Sequence, residues 1–479
     1  MPPTVASLPE APHAVQAQER DEEADDAPTT APAPIPESPP DEAYRNWLAA
    51  RSLAPVDLQQ LLPRAGEAAW PSFQILLRLP AGAETHLADT LDSLGEQYLD
   101  AWRLDIVTPL PAPDGLAELP NIGWHEVAAG QPVDMAALVE AAAADWVLEI
   151  PPGARLDPLY LWRIATEAAR SPATQAFFVD DDCMDPAGQR QAPRFKPGCN
   201  PSRLLASDLA GPLCVRRPAY LASAAGAPAA GSPWFRQLLA IAEQHGWSGI
   251  GHVADVLLTY PQAFPSDTAA CLHALLDFLG RQAPGAEIVP VTGQAWNIRY
   301  PLPSPAPKVC IALLSQGQLD LLARCLNTVL KLTHYPNYEI LLVVDAKAGD
   351  SELDDWLSSD ATAGVPGRIR VLRPSSPGNH ATRCNQAMAA SDADYVVLLR
   401  EEAAVVQEQW LDELLRPLLQ PAVVAVAPLL ITPGKAEIWA AGCVLGLMGS
   451  RGYPEQQKIT LGQPGYLEHA SVPRDTSTL

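Results

Sequence analysis

The sequence lacks the long apolar runs that mark membrane proteins and the leader that marks secreted ones. No stretch reaches the roughly 18 uninterrupted apolar residues that a transmembrane helix needs. The N-terminus, MPPTVASLPEAPH, has neither the basic start nor the apolar centre of a signal peptide. We therefore expect a cytoplasmic protein without a transmembrane segment.

Positive charge is also scarce. The 32 lysines and arginines are outnumbered by 56 carboxylates, which gives a net charge of -24 at pH 7. No basic run with interleaved aromatic residues is present. Because an acidic surface repels the phosphate backbone, we expect no nucleic acid among the partners of this chain.

The spacings typical of metal-binding and nucleophile motifs are missing too. The eight cysteines are scattered without a CxxC pair, and no two of the nine histidines have the close spacing of a helical or hairpin metal site. No GxSxG or Walker-type loop is found. These absences argue against a zinc protein, a hydrolase of the nucleophile-elbow type and a P-loop NTPase.

The N-terminal part of the chain divides into two segments. Residues 1–42 contain ten prolines and ten carboxylates but almost no large apolar side chains. Such a segment cannot bury enough surface to offset chain entropy, so we expect it to be disordered. Residues 43–70 have apolar positions at helical spacing on both sides of Pro55, which predicts a short helical preamble.

The rest of the chain alternates strand and helix patterns, and this order occurs twice. The intervals from Phe73 to Trp102 and from Val309 to Tyr338 are equal, and ADWV at 144–147 matches ADYV at 393–396. We infer two units, 71–290 and 308–479, that each contain a parallel sheet. Residues 291–307 are rich in proline and are the expected extended linker.

Several segments, taken in order, resemble the family 2 glycosyltransferases. They include RFKPGCNPSRLLASDLAGPLCVRRPAYL, THYPNYEILLVVD, PGNHATRCNQAM and AAGCVLGLMG. The resemblance is to tandem-domain members that assemble bacterial surface polysaccharide or flagellin glycans, and it covers about residues 41–449. It implies an α/β fold with two GT-A-like (Rossmann-like) domains of the nucleotide-diphospho-sugar transferase type, the second incomplete at its C-terminus.

The chemistry of this family depends on carboxylates, which bind a divalent metal and activate the acceptor. In the first unit, the resemblance places the metal motif on residues 151–154, PPGA, which offer no side-chain oxygen. The base-binding position falls near Thr108 and Pro109, and the general-base position falls around 233–235. None of these residues is a carboxylate, so we expect no sugar transfer in this unit.

One acidic group survives in the first unit, namely Asp180, Asp181 and Asp182 in FVDDDCMD. It could form a relocated metal or sugar site, or a solvated acidic loop that closes a strand. We favour the loop because adjacent side chains of a strand point to opposite faces. Lys196 in FKP is either a phosphate ligand or a surface lysine.

The second unit keeps more polar groups. By the resemblance, Asp345 falls where the family binds the nucleotide base, and Arg400, Glu401 and Glu402 fall on its Asn-Asp-Asp metal motif. In an active unit, the glutamates would bind Mn²⁺ or Mg²⁺, and Arg400 would pair with the diphosphate of a nucleotide sugar. Alternatively, Arg400, Glu401 and Glu402 cap a strand on the solvent side.

Three functions remain open from the sequence. The lost motifs favour a non-catalytic scaffold or regulator that acts beside an intact glycosyltransferase or another assembly protein of surface or flagellin glycans. The surviving carboxylates of the second unit allow an active sugar transferase with an altered site. The more remote alternative is an assembly module whose acidic tail recruits a basic partner.

Overall fold

The computed structural model describes most of the two predicted units. The described residues are 40–51, 70–128, 131, 133–224, 233–291, 294–344, 355–356, 369–373, 378–442, 444–445, 451–452, 459–463 and 465–475. Of residues 1–42, which were predicted to be disordered, 1–39 lie outside these ranges, whereas 40–42 are helical. The second half of the preamble also lies outside these ranges.

The preamble begins with a helix that packs on the first unit. This helix, α1, spans Pro40–Arg51. Its Tyr44 is 5% exposed and donates a hydrogen bond to Asp182 at 2.6 Å, and the ring of Trp47 packs edge-on against Phe195. The first part of the predicted preamble is therefore a helix whose aromatic side chains pack against the first unit.

The first unit is built on a nine-stranded sheet. Its strands are β1 Phe73–Arg78, β2 Trp102–Thr108, β3 Ile122–Glu126, β4 Trp146–Ile150, β5 Arg155–Leu156, β6 Ala176–Met184, β7 Arg190–Arg194, β8 Cys214–Arg216 and β9 Ile250–Tyr260. The order is β3-β2-β1-β4-β8-β6-β9-β5, and β7 pairs with β6. Strands β1 to β4 are parallel, as predicted, whereas β8 runs antiparallel to both of its neighbours, β4 and β6.

Hydrophobic clusters cover both faces of this sheet. In β1, the side chain of Leu76 joins one cluster, while Ile75 and Leu77 join the other. The run is apolar throughout because both faces of its parallel sheet are buried. The helices of this unit are α2 Leu87–Gly95, α3 Met135–Ala142, α4 Tyr160–Arg170, α5 Pro201–Leu205, α6 Arg217–Ala224, α7 Pro233–His245 and α8 Thr268–Gln282.

The linker is shorter than the sequence predicted. Residues Trp296–Arg299 form β11, which pairs antiparallel with β10, Glu287–Pro290. Trp296 is 2% exposed, and its Nε1 donates to the backbone oxygen of Leu205 at 2.6 Å. The prediction of a linker from residue 291 was therefore wrong at its N-terminal end, because this large apolar side chain is buried in the first unit.

The second unit contains a smaller parallel sheet in the order β14-β13-β12-β15. Its strands are β12 Val309–Ser315, β13 Tyr338–Val344, β14 Ile369–Leu372 and β15 Tyr395–Arg400. Val309 pairs with Tyr338 and Tyr395, just as Phe73 pairs with Trp102 and Trp146. The three central strands of the two units therefore pair in the same register, as the repeat predicted.

Three helices and two short hairpins complete the described part of the second unit. The helices are α9 Leu319–Leu332, α10 His380–Ala389 and α11 Trp410–Leu418. The hairpins are β16 Leu430–Ile431 with β17 Ile438–Ala440, and β18 Val444–Leu445 with β19 Arg451–Gly452.

Candidate functional site

A buried glutamate joins the carboxyl ends of β12 and β15. Glu401 follows β15 directly and has 0% of its surface exposed. One carboxylate oxygen accepts a hydrogen bond from Ser315 Oγ at 2.6 Å, and the other accepts one from the backbone N–H of Gln316 at 2.9 Å. Both oxygens are therefore bound by the end of β12, which offsets the cost of burying the charge.

A buried arginine contacts the same strand end. Arg383 of α10 is 9% exposed and donates to the backbone oxygen of Ser315 at 2.9 Å. The helix begins at Asn379, whose side-chain oxygen caps it by accepting the N–H of Thr382 at 2.9 Å. This cap fixes Arg383 one turn into the helix, so that its cationic group lies against β12.

The other two residues of the expected metal motif pair with each other. Arg400 donates through Nε and Nη2 to the carboxylate of Glu402, at 3.2 and 2.7 Å. These hydrogen bonds, more than the remaining influences, hold the pKa of Glu402 below its usual value. The two side chains are 60% and 39% exposed, so the pair contributes less than about 1 kcal/mol to stability.

The three residues of the expected metal motif in the second unit therefore do not converge. Arg400 and Glu402 lie at the surface, whereas Glu401 is buried, so the alternative of a solvent-side cap is wrong for Glu401. Asp345 lies outside the described residues. Within the described ranges, no group of three or more His, Cys, Asp or Glu side chains is arranged to hold a metal ion.

In the first unit, the expected metal position has no room for a side chain. Gly153, in the turn after β4, has a φ of 78°. A Cβ added there would lie 2.9 Å from both the Cβ of His86 and the Cγ of Pro261. Counted from the matching strand starts, Gly153 is the counterpart of Glu402. A carboxylate at this position would displace His86 or Pro261 and would hold a non-glycine residue at an unfavourable positive φ.

An ion pair joins β1 and β4 near their carboxyl ends. Arg78 donates to the carboxylate of Glu149 at 2.8 Å, and Glu149 is 8% exposed. Its backbone oxygen accepts a hydrogen bond from Nε1 of Trp234 at 2.9 Å. Trp234, at the expected general-base position, is thus a buried donor that cannot take a proton.

The acidic triplet of the first unit is buried within β6, so the solvated loop that the sequence favoured was wrong. The exposed fractions of Asp180, Asp181 and Asp182 are 4%, 1% and 2%. Asp180 contacts His252 at 2.8 Å, Asp181 forms ion pairs with Arg194 and Lys196, and Asp182 forms one with Arg190. Because each carboxylate has its own partners, the three do not form a common metal or sugar site.

Of these ion pairs, the two that Asp181 forms are the most buried. It accepts two hydrogen bonds from Arg194, at 2.5 and 2.6 Å, and one from Lys196 Nζ at 2.7 Å. Burial alone would raise the pKa of Asp181, but the charges of Lys196 and Arg194 outweigh it, so that the pKa is lowered. This carboxylate is therefore ionised as part of the interior of the first unit.

Lys196 is neither of the two things that the sequence suggested. Its side chain is 1% exposed, and Nζ also donates to the backbone oxygens of Val179 and Ala210, at 2.7 and 2.8 Å. Burial lowers the pKa of Lys196 to about 8. With three acceptors around its three N–H groups, it has none left for a phosphate.

Sequence reasoning missed three of these contacts. They are the contact of Ser315 with Glu401, the contact of Arg383 with β12, and the pairing of Arg78 with Glu149. The signal for the last was present, because Arg78 ends β1 and Glu149 is the penultimate residue of the neighbouring β4. A polar residue at the end of each of two adjacent parallel strands predicts such a contact.

No helix in the described part of the chain combines the length and the apolar character that a membrane crossing requires.

Comparison with known proteins finds one family model and two curated proteins of similar sequence. A "Glycosyl transferase family 2" model matches residues 310–466. The chain is 27% identical over 446 residues to "O-antigen biosynthesis protein RfbC" of Myxococcus xanthus, covering 88% of this chain and 34% of that protein. It is 26% identical to "Uncharacterized protein y4gI" of Sinorhizobium fredii, covering 66% and 36%. The chain thus spans about a third of the length of these curated relatives.

Among solved structures, the chain is similar to S. aureus TarS 1-349 in complex with UDP-GlcNAc. The TM-score is 0.32 at 12% identity, and the match covers 42% of this chain and 64% of that one. The residues that match the family model include most of the parallel sheet of the second unit and the buried Glu401. Residues 310–466, which lie in the second unit, are thus similar to glycosyltransferase family 2.

Proposed function

We propose that this chain takes part in the assembly of a bacterial surface glycan as a non-catalytic member of its family. It acts as a scaffold or regulator beside an intact glycosyltransferase, in the cytoplasmic compartment that the sequence favours. The observation that carries this proposal is the arrangement of Glu401, whose two carboxylate oxygens are bound by Ser315 and Gln316 in the protein interior.

A metal-dependent transferase needs carboxylate oxygens that face an open site, because a divalent cation bridges the protein and the diphosphate. In the second unit, Glu401 is turned inward, and Glu402 is neutralised by Arg400. In the first unit, the place of the metal ligand is taken by Gly153, against which His86 and Pro261 pack. The arrangement in both units thus supports the proposal that this chain has lost the chemistry of sugar transfer and kept the fold.

The biological setting is proposed from the relatives. A protein named for O-antigen biosynthesis is similar to 88% of this chain, which favours surface polysaccharide over flagellin glycan. The partner we propose is another glycosyltransferase or an assembly protein of the same pathway, because a unit without its own chemistry can contribute only through what it binds.

The alternative is an active transferase with an altered site. It would use Asp345, Glu401 and Glu402 for the nucleotide and the metal, and Arg400 for the diphosphate. Glu401 would first have to leave Ser315 and Gln316, which would leave a buried hydroxyl and a backbone N–H without acceptors. We therefore favour the non-catalytic role, in which Arg400 can still pair with a diphosphate without a metal.

Calorimetric titration of the full chain with UDP and GDP, with and without Mn²⁺ or Mg²⁺, tests this proposal. We expect any Kd to change less than about twofold on adding metal. The Glu402→Ala variant should show the same small difference between the Kd with metal and the Kd without it. Glu408→Ala is the matched control, because Glu408 is also an exposed glutamate of this unit. Binding that the metal strengthens tenfold or more, and that Glu402→Ala alone abolishes, would establish the altered transferase instead.

A further inference from the structure

A short segment of the first unit is contacted by two other parts of the chain. Residues 193–196, PRFK, are called the Phe195 segment below. Arg194 and Lys196 are fixed in the interior by their ion pairs with Asp181. Phe195 lies between them and is 39% exposed. Because both of its neighbours are held, Phe195 has a defined place at the surface of the first unit.

The first contact with this segment comes from α1. Tyr44 and Trp47 lie three residues apart on one face of the helix, and their rings are stacked with centroids 5.8 Å apart. Both rings meet Phe195 edge-on, at 6.2 and 5.0 Å between centroids. One turn further along α1, Arg51 pairs with Asp255 at 2.6 Å. The helix is therefore docked on the first unit through one face, and Phe195 is its aromatic contact.

The second contact comes from residues 465–475, which are called the strap below. The hydroxyl of Tyr466 accepts a hydrogen bond from the backbone N–H of Phe195 at 2.7 Å and donates one to the backbone oxygen of Pro193 at 2.9 Å. A single hydroxyl thus binds two backbone groups of the Phe195 segment.

The strap continues along the first unit beyond this contact. Glu468 pairs with Arg203 at 3.0 Å. Val472 is buried in an apolar cluster with Ala206 and Ala295 of the first unit. The strap is therefore bound to the first unit by an ion pair and an apolar side chain in addition to the tyrosine hydroxyl.

The residues that lead into the strap belong to the second unit. Within residues 459–461, the backbone oxygen of Ile459 accepts the N–H of Ile438 in β17 at 2.9 Å. Arg474 of the strap donates to the backbone oxygen of Ala441, which follows β17. The strap is thus a second connection between the two units, in addition to the linker that follows β11.

We propose that α1 is a latch for the strap. The helix holds the ring of Phe195 and the strap holds its backbone N–H, so each stabilises the position that the other needs. Docking of α1 therefore strengthens docking of the strap, and the coupling free energy is the same in both directions. When α1 leaves Phe195, the second connection weakens and the second unit can move relative to the first. This device does not depend on whether either unit transfers sugar.

Amide hydrogen exchange of the full chain, read by mass spectrometry, tests the latch. In the double variant Tyr44→Ala/Trp47→Ala, α1 should lose its protection, and exchange in residues 466–475 should become faster by at least about fivefold. Exchange in residues 146–150, at the centre of the first sheet, should not change. Asn46→Ala is the matched control, because Asn46 is an exposed residue of the same helix. It should leave exchange in α1 and in the strap at the wild-type rates.

The same coupling must act in the opposite direction. Tyr466→Phe removes only the hydroxyl that binds the Phe195 segment, and it should make exchange in residues 44–51 of α1 several-fold faster. Unchanged exchange in α1 of this variant would contradict the latch, because the helix and the strap would then dock independently.

Three results of the first experiment would also overturn the proposal. The double variant could free α1 and leave exchange in the strap unchanged, which would show that the two are not coupled. Protection of α1 could persist in the double variant, which would show that the aromatic contacts do not hold the helix. Finally, Asn46→Ala could accelerate exchange in the strap as much as the double variant does, which would show that contact with Phe195 is not the cause.

Discussion

Replacing Asp181 by asparagine should lower the free energy of unfolding of the first unit by about 3–5 kcal/mol. Asp181 is 1% exposed, and its carboxylate neutralises both Arg194 and Lys196. Because asparagine carries no charge, Arg194 and Lys196 would lose their anionic partner in the interior, where an unpaired charge is costly. Urea denaturation followed by tryptophan fluorescence measures the loss.

Asp277→Asn is the matched control, because this residue of α8 is exposed. We expect its effect to stay within about 0.5 kcal/mol. Adding Lys196→Met to Asp181→Asn should recover part of the loss, since one unpaired cation is then removed. A loss for Asp181→Asn no larger than that of Asp277→Asn would show that the buried pair is unimportant for stability.

Replacing Glu401 by alanine should destabilise the second unit by roughly 2–4 kcal/mol. The change removes the acceptor of the Ser315 hydroxyl and of the Gln316 N–H and leaves a cavity at the junction of β12 and β15. Glu401→Gln should cost less, because it keeps the shape and one acceptor oxygen. The same denaturation experiment measures both variants.

Glu402→Ala is the control for Glu401, because it removes the neighbouring glutamate from the exposed Arg400 pair. Its expected cost is at most about 1 kcal/mol. If Glu401 were instead held in place for metal binding, its removal would leave stability unchanged or raise it, as often occurs when functional groups are replaced. That result would contradict the structural role of Glu401.

The regular elements were largely predictable, because each depends on local periodicity. The run LDLLARCLNTVLKL has apolar residues at helical spacing and forms α9, Leu319–Leu332, with Leu322, Cys325, Leu326 and Val329 buried. The strand runs at β1, β12 and β13 were predicted from apolar stretches that parallel sheets bury on both faces. The equal spacing of the two units predicted a repeat, and the strands that begin at Phe73 and Val309 pair in the same way.

The acidic triplet was not predictable in the same way. Its burial depends on partners that the fold supplies from other strands: Arg190 and Arg194 come from β7, which folds back on β6. His252 comes from β9, 72 residues after Asp180 in the chain. A run of three aspartates predicts a solvated loop unless these tertiary partners are known.

The state of Glu401 was hidden for the same reason. The alignment with the family placed it correctly at the end of a strand, but its hydrogen-bond partner Ser315 is 86 residues away in the sequence. The sequence could show that the metal motif was altered. Only the structure shows that the central glutamate is turned inward and both of its oxygens are occupied.

The most direct test of the account is a turnover measurement. The full chain would be incubated with UDP- and GDP-sugars in the presence of Mn²⁺ or Mg²⁺, and release of the nucleotide diphosphate would be followed. The account predicts no release above the level without protein, for the wild-type chain and for Glu402→Ala alike. Metal-dependent release that Glu402→Ala abolishes and Glu408→Ala retains would contradict it and identify a working transferase.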